Sequence, residues 1–234
     1  MLFEDRRDAG SQLASALCEY AGPSTVVLGL TRGGVVVAAE VARALGVPLE
    51  AIITRKIGAP GNPEYAIGAI AEGGEPVLNE AEIHLLGISE AYLHHAISEQ
   101  KREIAQLQAV YRGGHPLTGL SGKTVVLVDD GIATGYTMRA AVEAVRRLGA
   151  ARIVVAVPVG PRETIQAFRR VVDAVVCLAS PEPFFAVGAF YEDFSQVTDE
   201  MVKRCLAEAA ERMAAGTPGL CRPRTGASAQ QPTG

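Results

Sequence analysis

Asp129 and Asp130 stand side by side after an apolar run, residues 125–128, and before a loop of small residues and hydroxyls, residues 131–137, that opens a helical pattern. Each part has a physical task. Backbone N–H groups of such a loop and the positive end of the helix dipole form a site for a phosphate monoester, and Thr134 and Thr137 add hydroxyl donors. Gly135 lets the backbone approach the anion closely. Two ionised carboxylates repel a bound anion unless they face donors, such as sugar hydroxyls or water on a divalent cation. The spacing therefore describes a phosphorylated sugar. The competing reading is an Asp-Asp-Gly turn that merely ends a strand, with Thr137 capping the next helix. Other nucleotide motifs are absent: no G-x-x-x-x-G-K-[ST] occurs, and no G-x-G-x-x-G follows the first apolar run.

Two further stretches carry anion-binding groups. Thr31, Arg32, Gly33 and Gly34 follow the run 25–30 and open another helical pattern, so backbone donors and an arginine fork meet there. Arg55 and Lys56 start a Gly/Pro-rich segment, residues 54–64, that reads as an irregular mobile loop bearing positive charge. His84, His94, His95 and His115 have no metal-ligand spacing, and no G-x-S-x-G elbow is present.

The elements that must hold these residues are also visible. Apolar runs at 25–30, 49–53, 124–128, 153–157 and 174–178 are short, rich in Val and Ile, and read as strands buried on both faces. Helical patterns at 35–45, 138–148 and 163–170 separate them, the last just after Pro161. This alternation predicts an α/β fold, a central mostly parallel sheet with helices on both faces, and function at the carboxyl ends of its strands. Residues 89–111 form the longest helical pattern, with Ser89 as N-cap and Gly113 and Gly114 closing it. Its apolar positions, broken at Gln100, favour a helix laid on its own sheet over a dimer seam, and leave a homodimer open.

Composition narrows the class. With 234 residues, 48% hydrophobic and 21% charged, the chain suits one compact domain with a small subdomain. A net charge of -4 attracts no polyanion, so no nucleic-acid partner is expected. No apolar run approaches the roughly 20 residues of a membrane span, so no membrane partner is expected either. Cys18, Cys177, Cys205 and Cys221 are scattered and read as reduced thiols of a cytoplasmic protein. Residues 216–234 are rich in Gly, Pro, Ser and Thr and read as a disordered tail.

The stretch VVLVDDGIATGYT resembles the phosphoribosyl pyrophosphate (PRPP) signature of type I phosphoribosyltransferases. Together with GAPGNPEYAIGAIAEGG and PFFAVGAFYEDFSQVTDE, it makes nearly the whole chain except the tail similar to a group of bacterial predicted phosphoribosyltransferases. The resemblance implies that Asp129 and Asp130 hold the ribose 2′ and 3′ hydroxyls, and that Ala133, Thr134, Gly135, Tyr136 and Thr137 cradle the 5′-phosphate. It implies a pyrophosphate loop at Thr31, Arg32, Gly33 and Gly34, where a strained peptide commonly precedes the small residue, and a closing loop with Arg55 and Lys56.

The implied domain covers residues 1–215, with a Rossmann-like sheet, a helical insertion at about 80–114 and a hood from about 1–20 and 181–215. Phe184, Phe185 and Val187 of the hood would meet a flat acceptor ring. The implied activity is transfer of the 5-phosphoribosyl group from PRPP to a nitrogenous acceptor, a nucleobase, with release of pyrophosphate. Catalysis would rest on Asp129, Asp130, Arg32 and Lys56. Mg²⁺ is the implied cofactor, held by substrate oxygens and reached by Asp129 and Asp130 only through water. In one respect the chain departs from the 6-oxopurine enzymes, since Ala133 stands where those carry an acid. The alternative is a PRPP-sensing regulatory or binding protein that keeps the cradle without transfer.

Overall fold

A computed structural model describes residues 2–221. Helix α1 (Arg6–Ala16) leads into β1 (Thr25–Leu30), α2 (Gly33–Leu45) and β2 (Leu49–Ile52). An antiparallel unit follows, made of β3 (Thr54–Ala59), β4 (Asn62–Ala71) and β5 (Val77–Leu78), then α3 (Glu80–Leu85) and α4 (Glu90–Arg112). The alternation resumes with β6 (Thr124–Val128), α5 (Tyr136–Arg147), β7 (Arg152–Val159), α6 (Arg162–Phe168), β8 (Ala174–Ala179) and α7 (Asp199–Ala214).

Five strands form a parallel sheet in the order β2-β1-β6-β7-β8. Successive side chains of a strand point to opposite faces, so each unbroken apolar run serves two cores. Leu28, Leu127 and Val155 pack with Met138 and Val145 of α5 on one face, while Val27, Val126 and Val154 meet Leu13 of α1 and Val41 of α2 on the other. The chain leaves β1 toward β2 on one side and reaches β6 on the other. The carboxyl ends of β1 and β6 therefore lie together at a topological switch point, the place where open α/β sheets bind ligands. Approach is close there: a Cβ on Gly34 would lie 2.7 Å from the Val128 carbonyl oxygen and 2.8 Å from the Asp129 Cα.

The segment 54–64 departs from its expectation. It is not an irregular loop but most of a hairpin, β3 paired antiparallel with β4, with register shifts on both sides of Gly58. Ile57 and Ile67 bury against Ile104 of α4, and this burial overrides the Gly/Pro signal. The glycines and prolines have local uses. Gly58 lets Pro63 approach, since a Cβ there would lie 2.5 Å from the Pro63 Cα, and Gly61 takes φ 74° in the turn. Helix α4 lies on this second sheet, as expected of a helix laid on its own sheet.

The cysteine reading is also corrected, because Cys18 and Cys221 form a disulfide across 203 residues of sequence. No local spacing could show that pair. It ties down the start of the expected tail: the Cys221 amide donates to the Ala44 carbonyl at 2.9 Å, and a Cβ on Gly219 would lie 2.5 Å from the Gly46 nitrogen. The rest of that expected tail, residues 222–234, lies outside the described residues. At the other end, Phe3 bridges Tyr191, so the N-terminal segment meets residues 190–193 above the switch point. Among the described residues no helix is long and apolar enough to cross a membrane.

Candidate active site

Three cavities open around the ends of β1 and β6. One of about 590 Å³ is lined by Arg6, Lys56, Asp129, Asp130, Val187 and Phe194 together with residues 131–137. A second of about 570 Å³ shares Lys56, Asp129, Asp130 and Thr137, and adds Thr31, Arg55 and Glu103. A third of about 350 Å³ joins Arg6, Arg32 and Arg55 to Thr31, Gly33 and Gln196.

The conformation of the loop 131–137 follows from its sequence. Gly135 is the N-cap of α5 with φ 81°, and the helix has no side-chain cap. Thr137 lies in the first turn rather than capping it, which removes the competing reading of that residue. Glycine is needed twice over, because a Cβ would also sit 2.8 Å from the buried Phe168 ring. Helix α2 likewise starts at the cleft without a side-chain cap. By contrast α1, α3, α4 and α7 are capped by Asp5, Asn79, Ser89 and Thr198, while α6, starting after Pro161, has no side-chain cap either. No side chain caps the first N–H groups of α2 and α5, although the Val35 amide already donates to the Arg32 carbonyl at 3.1 Å, and the positive ends of both helix dipoles face the cleft.

Between these termini lies the acid pair. The Asp130 amide donates to the Asp129 carboxylate at 2.9 Å, and the Tyr191 hydroxyl donates to the Asp130 carbonyl oxygen at 2.5 Å. Arg6 Nε donates to the Asp130 carboxylate at 2.7 Å, in a pair only 11% and 15% exposed. The guanidinium also donates to the Ser195 carbonyl and lies 3.9 Å from the centre of the Phe194 ring. Burial, then the charge of Asp130, holds the Asp129 carboxyl well above the usual carboxylate range. Burial also raises Asp130, against the pull of Arg6. Such perturbed acids in a cleft make it a candidate functional site.

The expected residues converge with four changes, the first being that Gly34 lines none of the three cavities. Arg32 lines the smallest cavity, but its Nε is already bound to Asp199 at 2.7 Å. Phe184 packs against Phe190 at 5.1 Å, and Phe185 is 85% exposed, so neither lines any of the three cavities. Val187 does line one, together with Phe194. The Thr31–Arg32 peptide bond is cis. Sequence reading missed Arg6, Tyr191 and Asp199. Phe194 belongs to a visible aromatic cluster, whereas Arg6 and Asp199 are ordinary charged residues of helical first turns and give no local signal.

The fold and this site define a class: a parallel α/β protein with an acid pair and two uncapped helix N-termini at its switch point. Comparison with known proteins agrees. A model of the phosphoribosyl transferase domain matches residues 5–191, and the chain belongs to that family. A Mycobacterium tuberculosis (strain H37Rv) protein named "Putative phosphoribosyl transferase Rv0571c" is 43% identical over 226 residues, which cover 94% of this chain and 51% of that protein. The chain thus spans about half the length of the curated relatives it matches. The crystal structure of TT1426 from Thermus thermophilus is 47% identical with a TM-score of 0.73, over 89% of this chain and 99% of that one.

Proposed function

We propose that the protein transfers the 5-phosphoribosyl group of PRPP to a ring nitrogen of a nucleobase. The bond from the sugar C1 to the pyrophosphate oxygen breaks, a C1–N bond forms, and the acceptor nitrogen loses its proton. The observation that carries this reading is the pair of uncapped helix N-termini, α2 and α5, set on either side of Asp129 and Asp130. Two anion sites flanking a sugar-sized acid pair match a sugar with a phosphate at one end and a pyrophosphate at the other.

The residues act mainly by position and charge. Residues 133–137 hold the 5′-phosphate with backbone donors and the Thr134 and Thr137 hydroxyls. Asp129 and Asp130 accept from the ribose hydroxyls, and Arg6 and Tyr191 brace Asp130. Residues 31–34, Arg32 among them, receive the pyrophosphate, and Lys56, which lines both large cavities, adds charge between the two anions. Val187 and Phe194 form an apolar wall for a flat acceptor, a role that passes to Phe194 from Phe184 and Phe185. Holding donor and acceptor in line supplies the proximity term, and fixed donors around the leaving group supply the electrostatic one.

The donor set fits Mg²⁺ bound chiefly by substrate oxygens and water. Two adjacent carboxylates face the cavity, a pair suited to water on a divalent ion rather than to a closed protein cage. Asp129 and Asp130 would reach the ion through water, and the ion when bound would disperse charge on the pyrophosphate. A cytoplasmic location belongs to the same reading and rests on the transferase chemistry alone, since the Cys18–Cys221 disulfide removes the argument from reduced thiols.

The test is pyrophosphate release from PRPP and Mg²⁺ with purine bases, pyrimidine bases and simple amines as separate acceptors. We expect one acceptor class to drive release. Asp129→Asn/Asp130→Asn should cut turnover at least about a hundredfold, because each hydrogen bond to a charged group contributes about 1.5–3 kcal/mol. PRPP binding without release for any acceptor would move the protein to the sensor class.

A further inference from the structure

Arg32 does not hang free over its cavity. It is the N-cap of α2, and its side chain crosses to α7, where Nε donates to the Asp199 carboxylate at 2.7 Å. The Tyr111 hydroxyl, from the last turn of α4, donates to the same carboxylate oxygen. Three elements far apart in sequence therefore meet at one carboxylate: the loop after β1, the end of the inserted helix and the start of the C-terminal helix. Beyond Asp199, the neighbour that Arg32 meets is the Tyr111 hydroxyl of the same cluster, and the guanidinium forms part of the wall of the 350 Å³ cavity with Thr31 and Gly33. We infer that Asp199, supported by Tyr111, is a positioning residue that fixes Arg32 through Nε and so presents its terminal nitrogens to the leaving pyrophosphate. The inference rests on the transferase reading above.

Stability alone gives a poor account of this arrangement. The Arg32 and Asp199 side chains are 35% and 31% exposed, and ion pairs that wet add little to folding. Arginine, however, loses much rotamer freedom when it binds an anion, and fixing it in advance removes that cost from the binding step. Occupying Nε leaves the face carrying the two terminal nitrogens, which binds two anionic oxygens side by side. Electrically the triad keeps its form across working pH. Burial, then the bond to Asp199, pushes the Tyr111 phenol up to about 12, so it stays a donor. The hydrogen bond from Tyr111 and then the bond from Arg32 hold the Asp199 carboxyl below its ordinary value, so it stays charged.

Simple Coulomb reasoning and positioning predict opposite signs. Removing a negative charge near an anion site should tighten anion binding. Loss of the brace should weaken it.

The experiment is titration calorimetry of inorganic pyrophosphate with Mg²⁺ into the full chain, using wild type, Arg32→Ala, Asp199→Asn, the double variant and Tyr111→Phe. We expect Arg32→Ala and Asp199→Asn each to weaken binding about three- to tenfold, the range set by one immobilised side chain. The double variant should bind no more weakly than Arg32→Ala alone, and Tyr111→Phe should lose less than Asp199→Asn. Additive losses in the double variant, or tighter binding by Asp199→Asn, would overturn the positioning role while leaving the transferase reading intact. Absence of pyrophosphate binding by the wild type would overturn both. Should Asp199→Asn not fold, Tyr111→Phe carries the test, and binding equal to wild type in that variant counts against the proposal.

Discussion

The two halves of the site are built in different ways. The half proposed to hold the 5′-phosphate and ribose is one continuous stretch, residues 129–137, running from the end of β6 into α5. The arginine half is assembled across the chain: Arg6 meets Asp130 at a separation of 124 residues, Arg32 meets Asp199 at 167, and Arg55 meets Glu103 at 48. In the first half the proposed binding group is the backbone, and its geometry follows from glycine and an uncapped helix start. In the second the groups are long cationic side chains, each paired with an acid of another element: Arg32 is the proposed pyrophosphate ligand, whereas Arg6 braces the acid of the first half. A backbone site tolerates loss of one side chain better than a side-chain site does.

The largest effect that would sharpen this contrast is expected from Arg6→Ala. It leaves Asp130 buried without its partner, and breaking a pair so enclosed costs on the order of 3 kcal/mol of stability. PRPP affinity should fall as well, about tenfold or more, because Asp130 then takes up a proton or turns away. Denaturant unfolding and PRPP titration read the two losses. An Arg6→Ala protein as stable as wild type would show that the pair is dispensable and would erase the distinction between the halves.

Thr137→Val tests the other side and should do less. The hydroxyl is one donor among several backbone N–H groups of 133–137, so the expected loss of PRPP affinity is about two- to tenfold, from about 0.5–1.5 kcal/mol for one hydrogen bond. A loss of a hundredfold or more would mean that side chains, not the backbone, carry the phosphate half too.

The same division explains what could be read in advance. Strands buried on both faces write themselves as Val/Ile runs, so the parallel sheet and the positions of β1 and β6 were legible, as was the glycine-started helix that follows β6. The antiparallel unit was not. Its Gly58, Pro60, Gly61 and Pro63 carry breaker chemistry, and only the burial of Ile57 and Ile67 against α4 makes that stretch a hairpin. The braces were invisible for another reason: Arg6, Tyr111 and Asp199 obtain their roles from tertiary contact alone. Cys18 and Cys221 show the same limit in covalent form.

The smallest expected effect concerns the stability cost of the acid pair itself. Asp129 has its folded pKa raised above the unfolded value by burial and by Asp130, so the folded state binds the proton more tightly than the unfolded chain does. Stability from this group is therefore fully present below the unfolded carboxylate pKa and is lost as pH rises toward the folded one. Asp129→Asn removes the charge and keeps the shape. It should melt higher than wild type at about pH 7, with the gain shrinking as pH falls toward about 4, measured by thermal unfolding across that range. A variant that melts lower at neutral pH would mean that Asp129 is a net stabiliser held by donors, and the acid pair would then resemble the braced arginines of the other half rather than a strained binding group set between two helix ends.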